Sequence, residues 1–569
     1  MKLLFPNLLM MAAIGCALMT TGLGDLAVAA AHFQQPFHSL LDDPELDEQD
    51  FEESEKDEKQ DSTQDPKKLA GELPDHSLWR FGEHGRTPKA NGIYRLAYSK
   101  NGTFLATRNR DFEINIYDVE KQKVICEIQQ DERIDSIDFS PDSEFFATAG
   151  LGPKVKVWNT KTGKLESEIE TDGIAAYFNS AGNAINVLGE THVETYSWPG
   201  VQMTTQRKWK TRSNETRSAM SQDGQLVVSY CRLRSGVYQT LVIDLEEKVK
   251  VQLDGPTQIP RSVVISPNRF WVAGTYRDEN VRLWDLRDPK RKVYTMRKHT
   301  EIVQSLAFSG DSRFLASTSW DQTAVVWDLL TRQSIGEFKG HAAHVTSVAF
   351  DSLENRFATG ASGVNDCSVI GWDVQSMLIP PAEKAFVEKF EAKEFKNIWN
   401  RLGASTIKSS LRGTASLVYG DSAIMDELEF RLPDPVDSGS SSLDELITKL
   451  NDPEFQVRQN ATEQLMLIRT RAEPRLRELL VESQSPELRY RIGIILKKKF
   501  NRPVREHVEA RRWGRIVFAL EVRNTPRSIK LLKQIANGHE EVEVSQDATF
   551  ALKRIEMREE RKLASKSDK

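Results

Sequence analysis

A repeat of about forty residues constrains this chain more than any other feature. Seven segments carry an alternation of apolar and polar positions broken by a turn: "LAYSKNGTFLAT", "IDFSPDSEFFATA", "AAYFNSAGNAINV", "SAMSQDGQLVVS", "VVISPNRFWVAG", "LAFSGDSRFLAST" and "VAFDSLENRFATG". Corresponding residues Tyr98, Phe139, Phe178, Met220, Ile265, Phe308 and Phe350 stand 39 to 45 apart. Period two in the apolar pattern means strands. A fixed long period with three or four strands per unit means blades set around a ring. One blade cannot bury both faces of its sheet, whereas a closed ring of blades can. The spacing predicts a seven-bladed β-propeller.

The third strand of the unit gives a second register in "INIYD", "VKVWN", "VRLWD", "AVVWD" and "VIGWD". An aspartate stands six residues before the aromatic in four blades: Asp111–Tyr117, Asp278–Trp284, Asp321–Trp327 and Asp366–Trp372. This arrangement resembles the WD40 family. The resemblance implies that the aspartate anchors the turn between the second and third strands. It then bonds toward a histidine before the first strand, and the chain of bonds continues through a strand hydroxyl to the tryptophan. A connected polar network of this kind fixes blade geometry. His299 and His341 match the family histidine, so the last two blades carry the full set. Blades three and four lack both aspartate and histidine, and their place in the count rests on spacing.

Trp320 immediately precedes Asp321, and the same position holds Arg110, Arg277 and Asn365. The resemblance puts these four on the top rim of the ring, where family members contact partners. Tryptophan and arginine are enriched at binding hot spots. Trp320 therefore either meets a partner or caps its own blade. No fourth strand follows the tryptophan strand of blade seven, but "HSLWRFG" (residues 76–82) precedes blade one. The resemblance implies that Leu78 to Phe81 closes the ring by joining blade seven, which removes two sheet edges. The propeller is assigned to 72–379.

Beyond it the apolar period changes from two to 3.6. Residues 380–442 read as a helical connector ending in the linker "LPDPVDSGSSSLDE", and 443–562 as a separate all-α domain with a short tail at 563–569. Cap-then-proline starts recur at Asp452–Pro453, Ser485–Pro486 and Thr525–Pro526, since proline needs no amide donor there. Asn537–Gly538 ends a helix. Short amphipathic helices in pairs suggest a HEAT-like domain. The whole order resembles a family of exported bacterial WD40 proteins over about residues 72–560, and this implies architecture more than chemistry.

The N-terminus reads as a targeting segment. Lys2 precedes an apolar run, and Ala27 and Ala29 have A-x-A spacing, so residues 1–31 are expected to be a secretory signal cleaved near Ala29 to Ala31. The alternative is an uncleaved anchor. After cleavage no further membrane span is expected, and the protein is placed in the periplasm or outside the cell. Within the arm 32–71, residues 42–65 hold thirteen acids and two lysines, too charged to bury a core. Cys126, Cys231 and Cys367 are too far apart for a disulfide framework or thiolate metal site and read as small buried side chains.

No Gly-rich phosphate loop, H-E-x-x-H, G-x-S-x-G or kinase signature occurs. "HAAH" (His341, His344) has metal-pair spacing, but His341 is already assigned to its blade. No catalytic residue, cofactor or metal is expected. Residues 489–533 carry fourteen Lys/Arg against three acids. Lys497, Lys498, Lys499, Arg511 and Arg512 are candidate contacts for an anionic polymer or lipid headgroup, and nucleic acid is disfavoured in an exported protein. The reading is an exported, non-enzymatic interaction scaffold whose partners are other proteins. Its alternatives are an envelope enzyme with a site at the central channel, and an anionic-polymer binder acting through 489–533.

Overall fold

Most blades turn between their first and second strands with the same chemistry. Ser99 Oγ donates to Asn101 Oδ1 (2.8 Å) and accepts the amide of Phe104 (2.8 Å). The arrangement recurs at Ser140, Asp142 and Phe145, at Ser221, Asp223 and Leu226, and at Ser309, Asp311 and Phe314. The fourth residue of the turn takes the left-handed region: Gly102, Ser143, Gly182, Gly224, Arg269 and Ser312 have φ between 58° and 73°. Glycine adopts this freely, and the serines and the arginine do so at a small cost that the side-chain bonds offset. The turn is therefore local, and it sets the register of the first two strands in most blades.

The computed structural model describes residues 73–82, 91–379, 395–432 and 440–567, with short breaks inside the second and fourth stretches. The signal segment 1–31, the arm 32–71 and connector residues 380–394 and 433–439 lie outside the described residues. The described strands form seven four-stranded antiparallel sheets. Six are sequential: blade one (93–129), two (134–170), three (175–208), four (219–253), five (262–297) and six (303–339). First strands of neighbouring blades touch one another in every pair but blades three and four, and line the centre of the ring. The predicted seven-bladed propeller is thus present, and blades three and four are complete despite lacking the motif residues.

Blade seven is closed from the other end of the chain. Its sheet runs from His344–Phe350 through Arg356–Ser362 and Val369–Asp373 to Ser77–Phe81. The last pairing is antiparallel, with Ser77 opposite Trp372 and Phe81 opposite Val369. Period two sends Trp79 and Phe81 inward, where both are buried. Their rings stack at 4.3 Å, and Phe81 stacks in turn on Tyr117 of blade one at 4.6 Å. The closing strand thereby fastens blade seven to its neighbour across the seam.

Ten helices follow among the described residues: α1 (Gln375–Leu378), α2 (Phe395–Leu402), α3 (Ile407–Tyr419), α4 (Ser422–Arg431), α5 (Ser440–Lys449), α6 (Phe455–Leu467), α7 (Pro486–Lys497), α8 (His507–Arg523), α9 (Pro526–Gly538) and α10 (Val542–Ser567). All three cap-then-proline starts make a side-chain bond to an early amide: Glu454 N donates to Asp452 Oδ1, Leu488 N to Ser485 Oγ, and Ser528 N to Thr525 Oγ1. The division expected at 443 does not match the packing. Phe395, Ile398 and Leu402 of α2, Leu417 of α3 and Met425 and Leu428 of α4 share one core with Ile516, Leu531, Ile535, Val544 and Ala551 of α8 to α10. Residues 440–497 make a separate core of Leu450, Leu465, Leu476 and Ile492. The connector therefore belongs with the last three helices, and α5 to α7 are inserted between them. The linker composition concealed this, because the partners of α2 to α4 lie a hundred residues downstream.

Nor does the first helical core stand apart from the propeller. Phe518 of α8 packs into the blade six and seven core with Phe314, Phe338, Phe357 and Trp372. The far end of α10 reaches the seam. Arg561 bonds Glu120 of blade one (2.7 Å) and pairs with Glu354 of blade seven (3.3 Å). Both carboxylates are well exposed, so the bridge is weak. Arg561→Met is expected to cost about 1 kcal/mol or less at low salt. The loss should fade in molar salt, as read by urea unfolding.

Candidate interaction face

The ring has two unlike ends. The turns after the first strands, and those between third and fourth strands, point toward the helices. Asn101, Glu120, Asp328, Gln333 and Glu354 all lie there, and each meets a helical residue. The opposite end carries the turn aspartates and the residues before each first strand. Among the described residues no helix bond reaches that end.

Blades six and seven hold their aspartates in complete relays. His299 Nδ1 lies 2.8 Å from Asp321 Oδ2, and its Nε2 lies 2.8 Å from Ser317 Oγ. Trp327 Nε1 donates to that same hydroxyl at 2.9 Å. Asp321 also takes the amides of Thr300 and Thr323. Burial pushes its carboxyl up, but the bonds from His299 and Thr323 outweigh this and hold it below the usual range. Blade seven repeats the pattern with His341, Asp366 (2.9 Å), Thr359 Oγ1 (2.7 Å) and Trp372 (2.7 Å). Both ring nitrogens of His341 are occupied, which removes it from any metal pair with His344.

The other two pairs are built differently. Asp278 takes Asn280 N and the guanidinium of Arg282, while Trp284 Nε1 donates to the carbonyl of Asp254 at 2.6 Å. Asp111 accepts from Asn91 at 2.8 Å, and the aromatic of its blade is Tyr117. Blade three substitutes a glutamate for the missing aspartate. Glu194 accepts from Tyr196 (2.9 Å), Thr171 (2.8 Å) and Gln206 (2.7 Å), and His192 stands 3.6 Å away. The carboxylate has moved into the third strand, out of reach of a motif spaced from the tryptophan.

The four rim positions divide. Arg110 and Arg277 are exposed, and Asn365 is half-buried. Trp320 is only 8% exposed. Its ring stacks on His344 of blade seven at 5.1 Å, nearly parallel, with the Arg261 guanidinium 5.5 Å from the ring centre. It bridges blade six to its neighbours, which is the capping geometry. Burial also pushes the His344 imidazole down to about 4. In an unfolded chain the ring titrates near 6.5, so protons bind the unfolded state first as pH falls. Stability should therefore decline between about pH 6.5 and 4, by about 2 kcal/mol allowing for residual solvent contact. His344→Phe should flatten that stretch of the unfolding profile.

The expected basic surface is largely internal. Arg512 is buried, stacks on Trp399 at 4.7 Å and donates to its carbonyl (3.0 Å). Arg511 Nε donates to Gly403 O at 3.0 Å. Arg515 bonds the carbonyls of Leu402 and Ala404, and Arg523 those of Leu417 and Gly420. These arginines satisfy the orphan carbonyls at the C-terminal ends of α2 and α3. Arg511 and Arg512 are therefore corrected from an anionic contact to helix caps. Lys498, Lys499 and the side chain of Lys497 lie outside the described residues. Cys126 and Cys367 are half-buried rather than fully buried.

A cluster that the sequence does not announce lies at the aspartate end, between blades one and two. Arg95 Nη2, Arg133 Nε and Arg108 Nη2 lie 3.4, 3.1 and 3.8 Å from one oxygen, Asp135 Oδ1. Arg108 is buried, donates to the carbonyls of Asn109 and Ile134, and lies over the rings of Tyr94 and Phe112. Burial pushes the Asp135 carboxyl up, and the three guanidiniums together hold it below the usual range. A lone carboxylate kept ionised among arginines suits charge recognition, not proton transfer.

Comparison with known proteins finds similarity in part of the ring. The sequence model of "WD domain, G-beta repeat" (WD40) matches residues 122–159, 247–285, 290–328 and 332–373. The chain is 24% identical over 293 residues to a WD repeat-containing protein 26 homolog of Arabidopsis thaliana, covering 49% of each. It is 37% identical over 113 residues to a Denticleless protein homolog of Xenopus tropicalis, covering 19% of this chain and 16% of that one. It is 25% identical over 205 residues to Periodic tryptophan protein 2 of Arabidopsis thaliana, covering 35% and 22%. The chain spans about half the length of the first of these relatives and less of the others.

Proposed function

We propose that this propeller of WD40 repeats is an exported, non-enzymatic scaffold that receives other proteins on the end of the ring carrying the turn aspartates. One observation carries the reading. The chain's own helices occupy the opposite end, and the aspartate end presents the exposed Arg110 and Arg277 on its turns and the half-exposed Arg95 and Arg133 at the starts of first strands. Preorganised charge keeps the ordering cost of binding low. Trp320 supports that surface from beneath. The helices, read as HEAT-like pairs, brace the ring from the other side. Anionic envelope components are a second class of partner, through Lys497 to Lys499.

The test is site-specific photo-crosslinking in the envelope fraction, with benzoylphenylalanine at Arg110 or Arg277 and a control at Val124, which is exposed on an outer strand. Discrete adducts from the two rim positions alone are expected. Equal labelling from Val124 would sink the reading. Export rests on the charged start, apolar run and A-x-A spacing of residues 1–31. Mass spectrometry of the purified protein should find a mature N-terminus near residues 30 to 32. A retained Met1 would leave the anchored alternative standing.

A further inference from the structure

We propose that the inner rim between blades one and two is a receptor for an acidic, aspartate- or glutamate-rich segment of the partner protein. The inference rests on the reading of this end of the ring as the docking face, and it adds the chemistry of what docks.

The charge balance is the first reason. Three arginines share one oxygen of one aspartate, which leaves the cluster at +2 (three cations less Asp135). No other carboxylate acts measurably on this cluster: the only charges that bear on Asp135 are the three guanidiniums, and Glu132 faces Lys154. Lower in the channel, Asp138 is neutralised by Lys100 at 2.7 Å.

Geometry is the second reason. Arg108 is sunk beneath the surface with its donors on backbone carbonyls, so it acts as a fixed charge that cannot swing away. Arg95 is anchored through Nε to Asp135 O (2.9 Å) and through Nη1 to Tyr94 O (2.9 Å) while its side chain stays 43% exposed. Arg133 spends Nε on Asp135, and its two terminal amino groups have no partner among the described residues. Arg133 thus faces solvent on an ordered stem, the arrangement that binds a carboxylate in two-pronged fashion, and Arg95 adds a fixed, half-exposed charge beside it. The cluster lies at a rim, continuous with exposed Arg110, and is not enclosed. An open site of this kind favours a chain carrying several carboxylates, each contributing little alone, over a single small anion.

The experiment uses the full chain and two fluorescein-labelled probes, an octaglutamate and an octaglutamine, read by fluorescence anisotropy. Octaglutamate is expected to bind, weakening steeply with added salt, and octaglutamine is not. The double variant Arg95→Gln/Arg133→Gln should lose at least about tenfold in affinity, measured well below the onset of its own unfolding curve, since Asp135 also loses two partners. Asp135→Asn supplies the opposite sign. By raising the cluster from +2 to +3 it should tighten octaglutamate binding. If octaglutamate does not bind, or binds the double variant like the parent, the proposal is overturned. It is equally overturned if Asp135→Asn lowers stability without tightening binding, since the arginines then serve only to hold two blades together. Rim crosslinks that persist in that case would keep the docking face and discard its acidic ligand.

Discussion

Asp366→Ala is expected to cost about 3–5 kcal/mol, the range for removing one partner from a buried ionic hydrogen-bond set. The side chain is wholly buried and faces His341, the amides of Ala342 and Ser368, and the Ser368 hydroxyl. All of these donors would be stranded without water to replace the carboxylate. The same substitution at Asp321 should cost less, about 1–3 kcal/mol, because that side chain keeps 9% exposure and solvent can partly replace it. Urea unfolding of the two variants side by side measures the difference. Equal costs would mean that blade seven, where the closing strand must hold, is no more dependent on its relay than blade six. The dependence on acid follows from the same groups. The Asp321 carboxyl is held below its unfolded value, so its contribution is complete above about pH 4 and is lost as pH falls through the folded value.

Phe518→Ala is the second large effect, about 3–5 kcal/mol for emptying a buried aromatic site. Its ring meets Phe314 edge-on at 6.0 Å, and the Arg313 guanidinium lies 4.2 Å from its centre. It is also the buried member that the long helices contribute to the core of the propeller, beside the partly buried Leu411, Val418, Tyr419 and Val522. Beyond the loss of stability, calorimetry should show one transition in the parent and two in the variant. Two transitions in the parent would show that the helices and the ring unfold independently and that the shared core adds little coupling.

How much was readable depended on the range of the interaction concerned. The turns of each blade are made by residues within five positions of one another, such as Ser99, Asn101 and Phe104, so their pattern survives in the sequence and repeats visibly. The same locality exposed the relays of His299 and His341, where every member lies within about thirty residues. Blade three escaped the motif because its carboxylate, Glu194, sits two residues from Tyr196 and not six before it. The rim positions were legible as places but not as environments. Nothing near Trp320 in sequence says that His344 of the next blade lies flat against it.

The ring follows from the order of residues alone: a period near forty, seven turns and a strand left over at the N-terminus that blade seven lacked. Which surfaces remain available is settled by contacts between distant segments. Arg511 and Arg512 read as free cations because a run of basic residues resembles a solvated face. The carbonyls they cap, Gly403 and Trp399, are more than a hundred residues away. Conversely, Arg95 and Arg108 look like isolated charges on separate strands of blade one, and only the packing of blade two against blade one brings them, with Arg133, to one oxygen of Asp135. Strand and turn signals are local and repeat, so one sequence carries them many times over. A charge cluster is made once, by whichever strand ends the ring sets side by side.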